Sequence, residues 1–363
     1  MIGIIGAGPT GLAIAYLLKE RGVEFHILER GSIGHTWKNQ YESLHLNSIR
    51  EVSCLPGLAM PKSYPVFPSA AQFASYLEQY ARTFDLPVRT AEVQEVRPAD
   101  PGFDVRTDRG TMHYTTVIIA SGIWASPHHP YADPAPFRGE VLHASQYRTA
   151  HPFKGKRVLV VGAGSTASDI AVDLVENVSF IGMSIAHGVN IVPPITSPLV
   201  FKMYRTIYEN AWLFHLLRPA LVKMRADHRA IGLPNHPLAD TQIGYSVILG
   251  NKLVDAVKTG QVHTYPAFTG FTAHGARFVD GNEVAFDTII FATGYRPAVQ
   301  FARQCFEMHA DGYPIVDRYR STKYKDLYLV CPGRDYEHNI GWLPSLERTA
   351  TLVVNQILSA SRR

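Results

Sequence analysis

Two glycine-rich stretches have the spacing of dinucleotide-binding turns. Gly6-Ala7-Gly8-Pro9-Thr10-Gly11 follows the apolar run 2–5, and Gly162-Ala163-Gly164-Ser165-Thr166-Ala167 follows the apolar run 158–161. In such a turn the first glycine permits a tight bend and the second lets the backbone approach a pyrophosphate. The third position allows close packing of helix on strand, and the phosphate meets the free N–H groups and positive end of that helix. Two such turns imply two dinucleotides, and the usual use for two is passing a hydride from a nicotinamide to a flavin. The expected cofactors are FAD and NAD(P)H.

The two sites differ in the strand that follows. Glu29 closes the second strand of the first unit, a position from which an acid takes ribose hydroxyls. The chain then runs through Arg30 into Gly34-His35-Thr36-Trp37, a segment able to lie along a flavin, so FAD is assigned here. In the second unit the strand over 179–186 ends without an acid, the usual ribose ligand for NAD. It also ends without an arginine, the usual clamp for the extra phosphate of NADP. His187 is the one candidate cation there, with a plain loop histidine as the rival reading. A relaxed or NADH-leaning preference is expected.

The elements that must position these residues follow from periodicity and turn signals. A first β-α-β unit has a strand at 2–5, a helix at 12–20 and a strand at 25–29. A helix over 70–82 and alternating strand pattern over 93–117 come next. A second unit has a strand at 158–161 and a helix at about 165–176. The strand ends Ala120-Ser121-Gly122 and Ala292-Thr293-Gly294 are alike and read as paired crossings between domains. The expected fold is α/β, with two Rossmann-like dinucleotide-binding domains. The nicotinamide domain, 151–286 with a helical insertion at about 196–245, is inserted in a discontinuous FAD domain formed by 1–150 and 287–363. Segment 199–217 carries Val200, Met203, Tyr204, Ile207, Tyr208 and Ala211 on one side and Lys202, Arg205, Thr206, Glu209 and Asn210 on another. Core packing, a substrate lid, a membrane-surface patch and a dimer contact are open readings of this amphipathic helix. Asn339, Gly341 and Trp342 precede a last helix from about 344, which either aims its N-terminus at the flavin or is a plain helix start.

Composition narrows the class. A chain of 363 residues suits two domains, and 46% hydrophobic with 18% charged residues is ordinary globular usage. A net charge of +4 without a Lys/Arg cluster is no case for nucleic acid. Cys54, Cys305 and Cys331 lie far apart and form no C-x-x-C, which argues against a redox dithiol or a metal site and fits a cytoplasmic protein. The fingerprint begins at Gly6, leaving no room for a signal peptide. No apolar run approaches the ~18–20 residues that cross a bilayer, so no stable membrane anchor is expected. A homodimer stays open.

Between the two turns, Phe137, Gly139, His143 and Tyr147 spell F-x-G-x-x-x-H-x-x-x-Y. Asp287 followed by Phe291-Ala292-Thr293-Gly294-Tyr295, the stretch 47–54 beginning at Asn47, and residues 67–81 continue the same pattern in order. In these motifs the chain resembles the class B flavoprotein monooxygenases, the flavin-containing monooxygenases and their N-hydroxylating relatives, within them the shorter bacterial type. The resemblance implies that NAD(P)H reduces the flavin, that O2 adds to give a flavin hydroperoxide, and that the oxidised nicotinamide stays bound. It places Asn47 as the catalytic asparagine near the reacting atoms. Gly6, Gly8, Pro9, Thr10, Gly11, Glu29 and Arg30 fall on FAD-binding positions, as do Trp37, Leu44, His45, Leu46 and Val93. Gly162, Gly164 and Ser165 fall on nicotinamide-diphosphate positions, Thr166 and His187 are further candidates on that side, and the chain departs from the family around Ala186 and His187, where an NADP-clamping arginine would stand. The implied activity is oxygenation of sulfur or nitrogen in small molecules. An NAD(P)H oxidase or flavin reductase and a Baeyer–Villiger oxygenase of ketones are the alternatives. Tyr147-Arg148 stands where Baeyer–Villiger enzymes carry Trp-Pro or Trp-Asp, which points away from ester formation. His143 is read as a motif residue and not as a catalyst.

Overall fold

A computed structural model describes residues 1–131, 136–223, 227–235, 247–331 and 342–360. The first unit starts with β1 (Ile2–Ile5), which is buried along its whole length. Helix α1 (Pro9–Lys19) begins at Pro9, earlier than the expected position 12, because a proline at the first helical position gives up an N–H that has no partner anyway. β2 (Phe25–Glu29) and β3 (Val88–Thr90) pair in parallel on one side of β1, and β7 (Thr116–Ile119) pairs on the other. Three strands from the other end of the chain, β18 (Val316–Asp317), β19 (Arg320–Ser321) and β20 (Leu327–Leu329), complete the order β18-β19-β20-β7-β1-β2-β3. One sheet thus combines strands from both ends of the chain. An antiparallel meander of β4 (Val93–Pro98), β5 (Phe103–Thr107) and β6 (Gly110–Tyr114) packs with it.

Helices of this unit bury apolar faces against the sheet. A single turn, α2 (His35–Lys38), precedes α3 (Ala70–Thr83). Ser69 caps α3: its hydroxyl accepts from the Gln72 N–H at 3.2 Å, and the Gln72 side-chain oxygen accepts from the Ser69 N–H at 2.9 Å. Such a box stabilises a helix start by about 1 kcal/mol.

The second unit has a parallel sheet in the order β13-β10-β9-β17-β8. It consists of β8 (Glu140–His143), β9 (Arg157–Val161), β10 (Phe180–Ser184), β13 (His263–Tyr265) and β17 (Thr288–Phe291). The sheet thus takes in β8, from before 151, and β17, from after 287, both of which the sequence reading groups with the first domain. β17 is buried on every residue and lies between β8 and β9. Such an apolar run fits a central parallel strand covered on both faces, whichever domain its neighbours in sequence belong to. Helix α4 (Ser165–Leu174) follows β9. The antiparallel strands β14 (Phe268–Thr272), β15 (Gly275–Phe278) and β16 (Glu283–Ala285) pack against Leu159, Val161, Ile289 and Phe291. A small parallel pair, β11 (Asn190–Val192) with β12 (Val247–Leu249), brackets the helical insertion.

The expected single helix over 199–217 is two, α5 (Pro198–Glu209) and α6 (Ala211–Lys223), separated by Asn210 in an extended conformation. Helix α7 (Lys252–Lys258) follows, and α8 (Trp342–Ala360) closes the first unit by packing on α1. Core packing does not describe the insertion: Leu199 is 77% and Trp212 72% exposed, while Phe201 turns inward.

The two units are joined by two chain crossings that bond to each other. Gly6 (φ +110°) and Gly162 (φ +139°) hold corresponding places. A Cβ on either would sit 2.6 Å from the Ala120 carbonyl oxygen or 2.4 Å from that of Ala292, the first residues of the crossings. The Ala298 N–H donates to Gly122 O at 3.0 Å, Arg296 N–H to Ser126 O at 2.9 Å, and His128 N–H to Gly294 O at 2.9 Å. Thr293 Oγ1 donates to His128 O at 2.6 Å, and Ser121 Oγ to Ala298 O at 2.7 Å.

His143, 1% exposed at the end of β8, locks this ladder. Its Nδ1 accepts from the Ser145 N–H at 3.0 Å, so Nε2 carries the proton and donates to Gly294 O at 3.2 Å. Burial, with the neighbouring His129, holds its pKa down to about 4. The unfolded chain, near 6.5, therefore binds more protons as pH falls, and the stability that His143 contributes is complete above 6.5 and lost between 6.5 and 4. Between pH 7 and 4.5 the thermal midpoint of the wild type is expected to fall more steeply than that of His143→Gln. Equal slopes in scanning calorimetry would remove His143 as a titrating element.

Candidate active site

A cavity of about 1130 Å³ runs between the units and is lined by both fingerprint turns: Gly6, Gly8, Pro9 and Thr10 from the first, Ser165 and Thr166 from the second. The N-termini of α1 and α4, each with unpaired N–H groups and a positive dipole end, thus open on one space. The glycines divide their work. A Cβ on Gly8 would meet nothing within 4 Å, so its bareness leaves room for a ligand. A Cβ on Gly11 would sit 2.0 Å from Gly6 O, so its bareness serves the packing of helix on strand.

Glu29 is held across the mouth of the first turn. Its Oε2 accepts from the Ala7 N–H at 2.8 Å and its Oε1 from the Gly31 N–H at 3.0 Å. Each carboxylate oxygen keeps a further lone pair, and Glu29 and Arg30 both line the cavity. Trp37 on α2 lies edge-on to Phe73 and to Trp124, with ring centroids 4.6 Å apart in both cases. Leu44 O accepts from Ala70 N–H at 2.9 Å, and Leu46 N–H donates to Pro68 O at 2.8 Å. These bonds hold Leu44, His45, Leu46 and Asn47 along the cavity wall beside the start of α3, and Val93 lines the same space. The glycine cradle, two helix N-termini and a fixed carboxylate fit a flavin dinucleotide in the first unit and a nicotinamide dinucleotide in the second.

Four expected residues lie off the wall. Gly11 and Gly162 act beneath it, and Gly164 is the extended residue that starts α4. His187 is exposed past β10 and does not line the cavity. Asn339 and Gly341 lie outside the described residues. Trp342 donates through Nε1 to Thr10 Oγ1 at 3.1 Å, which ties the start of α8 to the start of α1, with Leu343 and Pro344 on the wall.

Tyr147 is 1% exposed, and its hydroxyl donates to Asp173 at 2.5 Å. The position is buried scaffold, so its departure from the Baeyer–Villiger pattern says nothing about the reaction. Sequence reasoning missed Tyr41, Trp124 and Asn251 on the wall, and placed Tyr204 and Arg205 on faces of an amphipathic helix. Trp124 had a signal, its place just after the Ala-Ser-Gly crossing. Tyr41 and Asn251 had none, because they reach the cavity from loops.

A profile of the pyridine nucleotide-disulphide oxidoreductase family matches residues 3–190. The chain is 34% identical over 320 residues to the indole-3-pyruvate monooxygenase YUCCA8 of Oryza sativa subsp. indica, spanning 82% of this chain and 76% of that one. It is 34% identical over 315 residues to the probable indole-3-pyruvate monooxygenase YUCCA1 of Arabidopsis thaliana, spanning 82% and 75%. In three dimensions it is similar to the flavin-containing monooxygenase of Stenotrophomonas maltophilia, with a TM-score of 0.79 and 25% identity over 99% of this chain and 98% of that one. Among the described residues no cluster could hold a metal ion, and no helix is long and apolar enough to cross a membrane. The three cysteines, Cys54, Cys305 and Cys331, are free thiols. The chain belongs to the class B flavin-containing monooxygenases, as a flavoenzyme using FAD, NAD(P)H and O2.

Proposed function

We propose that this monooxygenase acts on a 2-oxo acid bearing an aromatic group, oxygenating the C2 carbonyl with loss of the carboxyl carbon. The balance is 2-oxo acid, O2, NAD(P)H and a proton going to the acid one carbon shorter, CO2, water and NAD(P)⁺. The observation that carries the reading is the face that α5 turns to the cavity. Phe201, Tyr204 and Arg205 stand three and four residues apart, on one side of the helix, and all line the wall with Trp124. Rings suit an aromatic side chain, and a guanidinium is the side chain best shaped for a carboxylate. The relatives in rice and Arabidopsis are named for an arylpyruvate, which supports the same class. Oxygenation of sulfur or nitrogen becomes the second choice, because neither needs an anion-binding group in the wall.

Bound FAD, reduced by the nicotinamide, supplies the activated oxygen. The chain's own residues do the rest. Asn47 brings an amide that donates and accepts without adding charge, and α5 with Trp124 and Trp37 keeps water from the reacting centre.

Arylpyruvates should be consumed with CO2 released one-to-one with NAD(P)H, and Arg205→Ala should raise their KM at least tenfold, about 1.4 kcal/mol, with a neutral thioether unaffected. A KM change confined to NADPH would make Arg205 a cofactor clamp instead, and turnover of thioethers alone would return sulfur oxygenation to first place.

Asn47→Ala should keep FAD and be reduced within about tenfold of the wild-type rate, while the hydrogen peroxide released per NAD(P)H rises. An unchanged ratio would leave Asn47 as scaffold.

With no acid or arginine after β10 and His187 off the wall, NADH should serve comparably to NADPH. A preference for NADPH of a hundredfold in kcat/KM, about 2.7 kcal/mol, would show a phosphate clamp from another element.

A further inference from the structure

We propose that Tyr41 and Asp169 form a positioning pair that ties the strap carrying Asn47 to the nicotinamide-side helix α4. This rests on reading Asn47 as a group at the reacting centre. Tyr41 precedes β8 by a long stretch of first-unit sequence, yet its ring is 4% exposed inside the core of the second unit, in the cluster with Ala167, Ile170 and Ala171. Its hydroxyl donates to Asp169 Oδ2 at 2.8 Å. Asp169 stands one turn into α4, directly behind Ser165 and Thr166 at the cavity. Tyr147 repeats the arrangement one turn further, edge-on to Tyr41 with centroids 6.2 Å apart and bonded to Asp173.

The segment from Tyr41 to Asn47 is therefore held at both ends by different units. Tyr41 on α4 and Glu42 N–H on Arg148 O at 2.9 Å fix the near end. Leu44 and Leu46, bonded to Ala70 and Pro68 at the start of α3, fix the far end. Tyr41 and Asn47 line the same cavity. A strap this short cannot absorb a shift of α4 against α3 without moving its own backbone, so the Tyr41–Asp169 bond sets Asn47 and the nicotinamide-side helix in one frame. Burial, with the Asp169 carboxylate, raises the Tyr41 hydroxyl far above its ordinary value, so the phenol keeps its proton, while burial also pushes the Asp169 carboxyl upward.

Tyr41→Phe keeps the ring and removes the bond, whereas Asp169→Asn keeps an oxygen that accepts it. In folded, FAD-replete Tyr41→Phe, hydrogen peroxide per NAD(P)H should rise at least threefold, and amide exchange over 42–47 should speed up about tenfold. Asp169→Asn should stay close to wild type in both. Tyr41→Phe combined with Asp169→Leu removes the buried carboxylate and carries the same expectation if the single variant fails to fold. A lowered thermal midpoint with unchanged coupling and unchanged exchange at 42–47 would overturn the proposal and leave the pair purely structural. If Asn47→Ala uncouples and Tyr41→Phe does not, the pair alone fails; if neither uncouples, the reading of Asn47 fails first.

Discussion

Everything at the active site depends on the hydrogen-bonded ladder between the two chain crossings. Each crossing leaves the end of a buried parallel strand and enters the other unit, so its backbone groups pass through a region without regular structure. Buried N–H and C=O groups need partners. Here the two crossings supply them to each other, through Gly122 with Ala298, Ser126 with Arg296, and His128 with Gly294. His143 adds a side-chain donor to the same Gly294 carbonyl. One consequence is geometric. Because the crossings start immediately after the strands that flank both glycine turns, pinning them together makes the two turns face one cavity.

The two units are variations on one β-α-β solution, and their differences match different demands on the bound dinucleotide. Both place a first glycine over the carbonyl of the next crossing, and both start a helix with an extended glycine. Only the first adds a carboxylate fixed by two backbone N–H groups at the dinucleotide turn. A cofactor that stays through many turnovers is served by such rigid, pre-paid contacts, whereas one that exchanges every cycle needs fewer of them. The second unit follows that logic, with exposed Ala186 and His187 in the loop past β10.

Helices α5 and α6 have two roles that a single apolar face could not combine. Phe201, Tyr204 and Arg205 form cavity wall, while Leu199, Met203, Trp212 and Leu216 stand out in solvent. The extended backbone at Asn210 ends α5 and separates it from α6.

The local elements were legible because their causes are local. Alternation and apolar runs each act within a few residues, and the two fingerprints together with Glu29 define a dinucleotide turn wherever they occur, whereas the start at Pro9 and the Ser69–Gln72 cap came only with the structure. The pairing of the Ala-Ser-Gly and Ala-Thr-Gly segments was legible for the same reason, as a repeated strand end. Which sheet a strand joins was not. β17 carries an apolar run that fits either domain, and its pairing with β9, more than a hundred residues earlier, and with β8 decided it. The burial of Tyr147 on Asp173, the outward face of α5 and the reach of Tyr41 into the far core were equally invisible, since each depends on partners distant in sequence. Sequence determined which pieces this protein has and which cofactors they suit; only tertiary packing decided which pieces meet, because a parallel strand's neighbours and a loop's destination are chosen by long-range burial and not by the residues beside them.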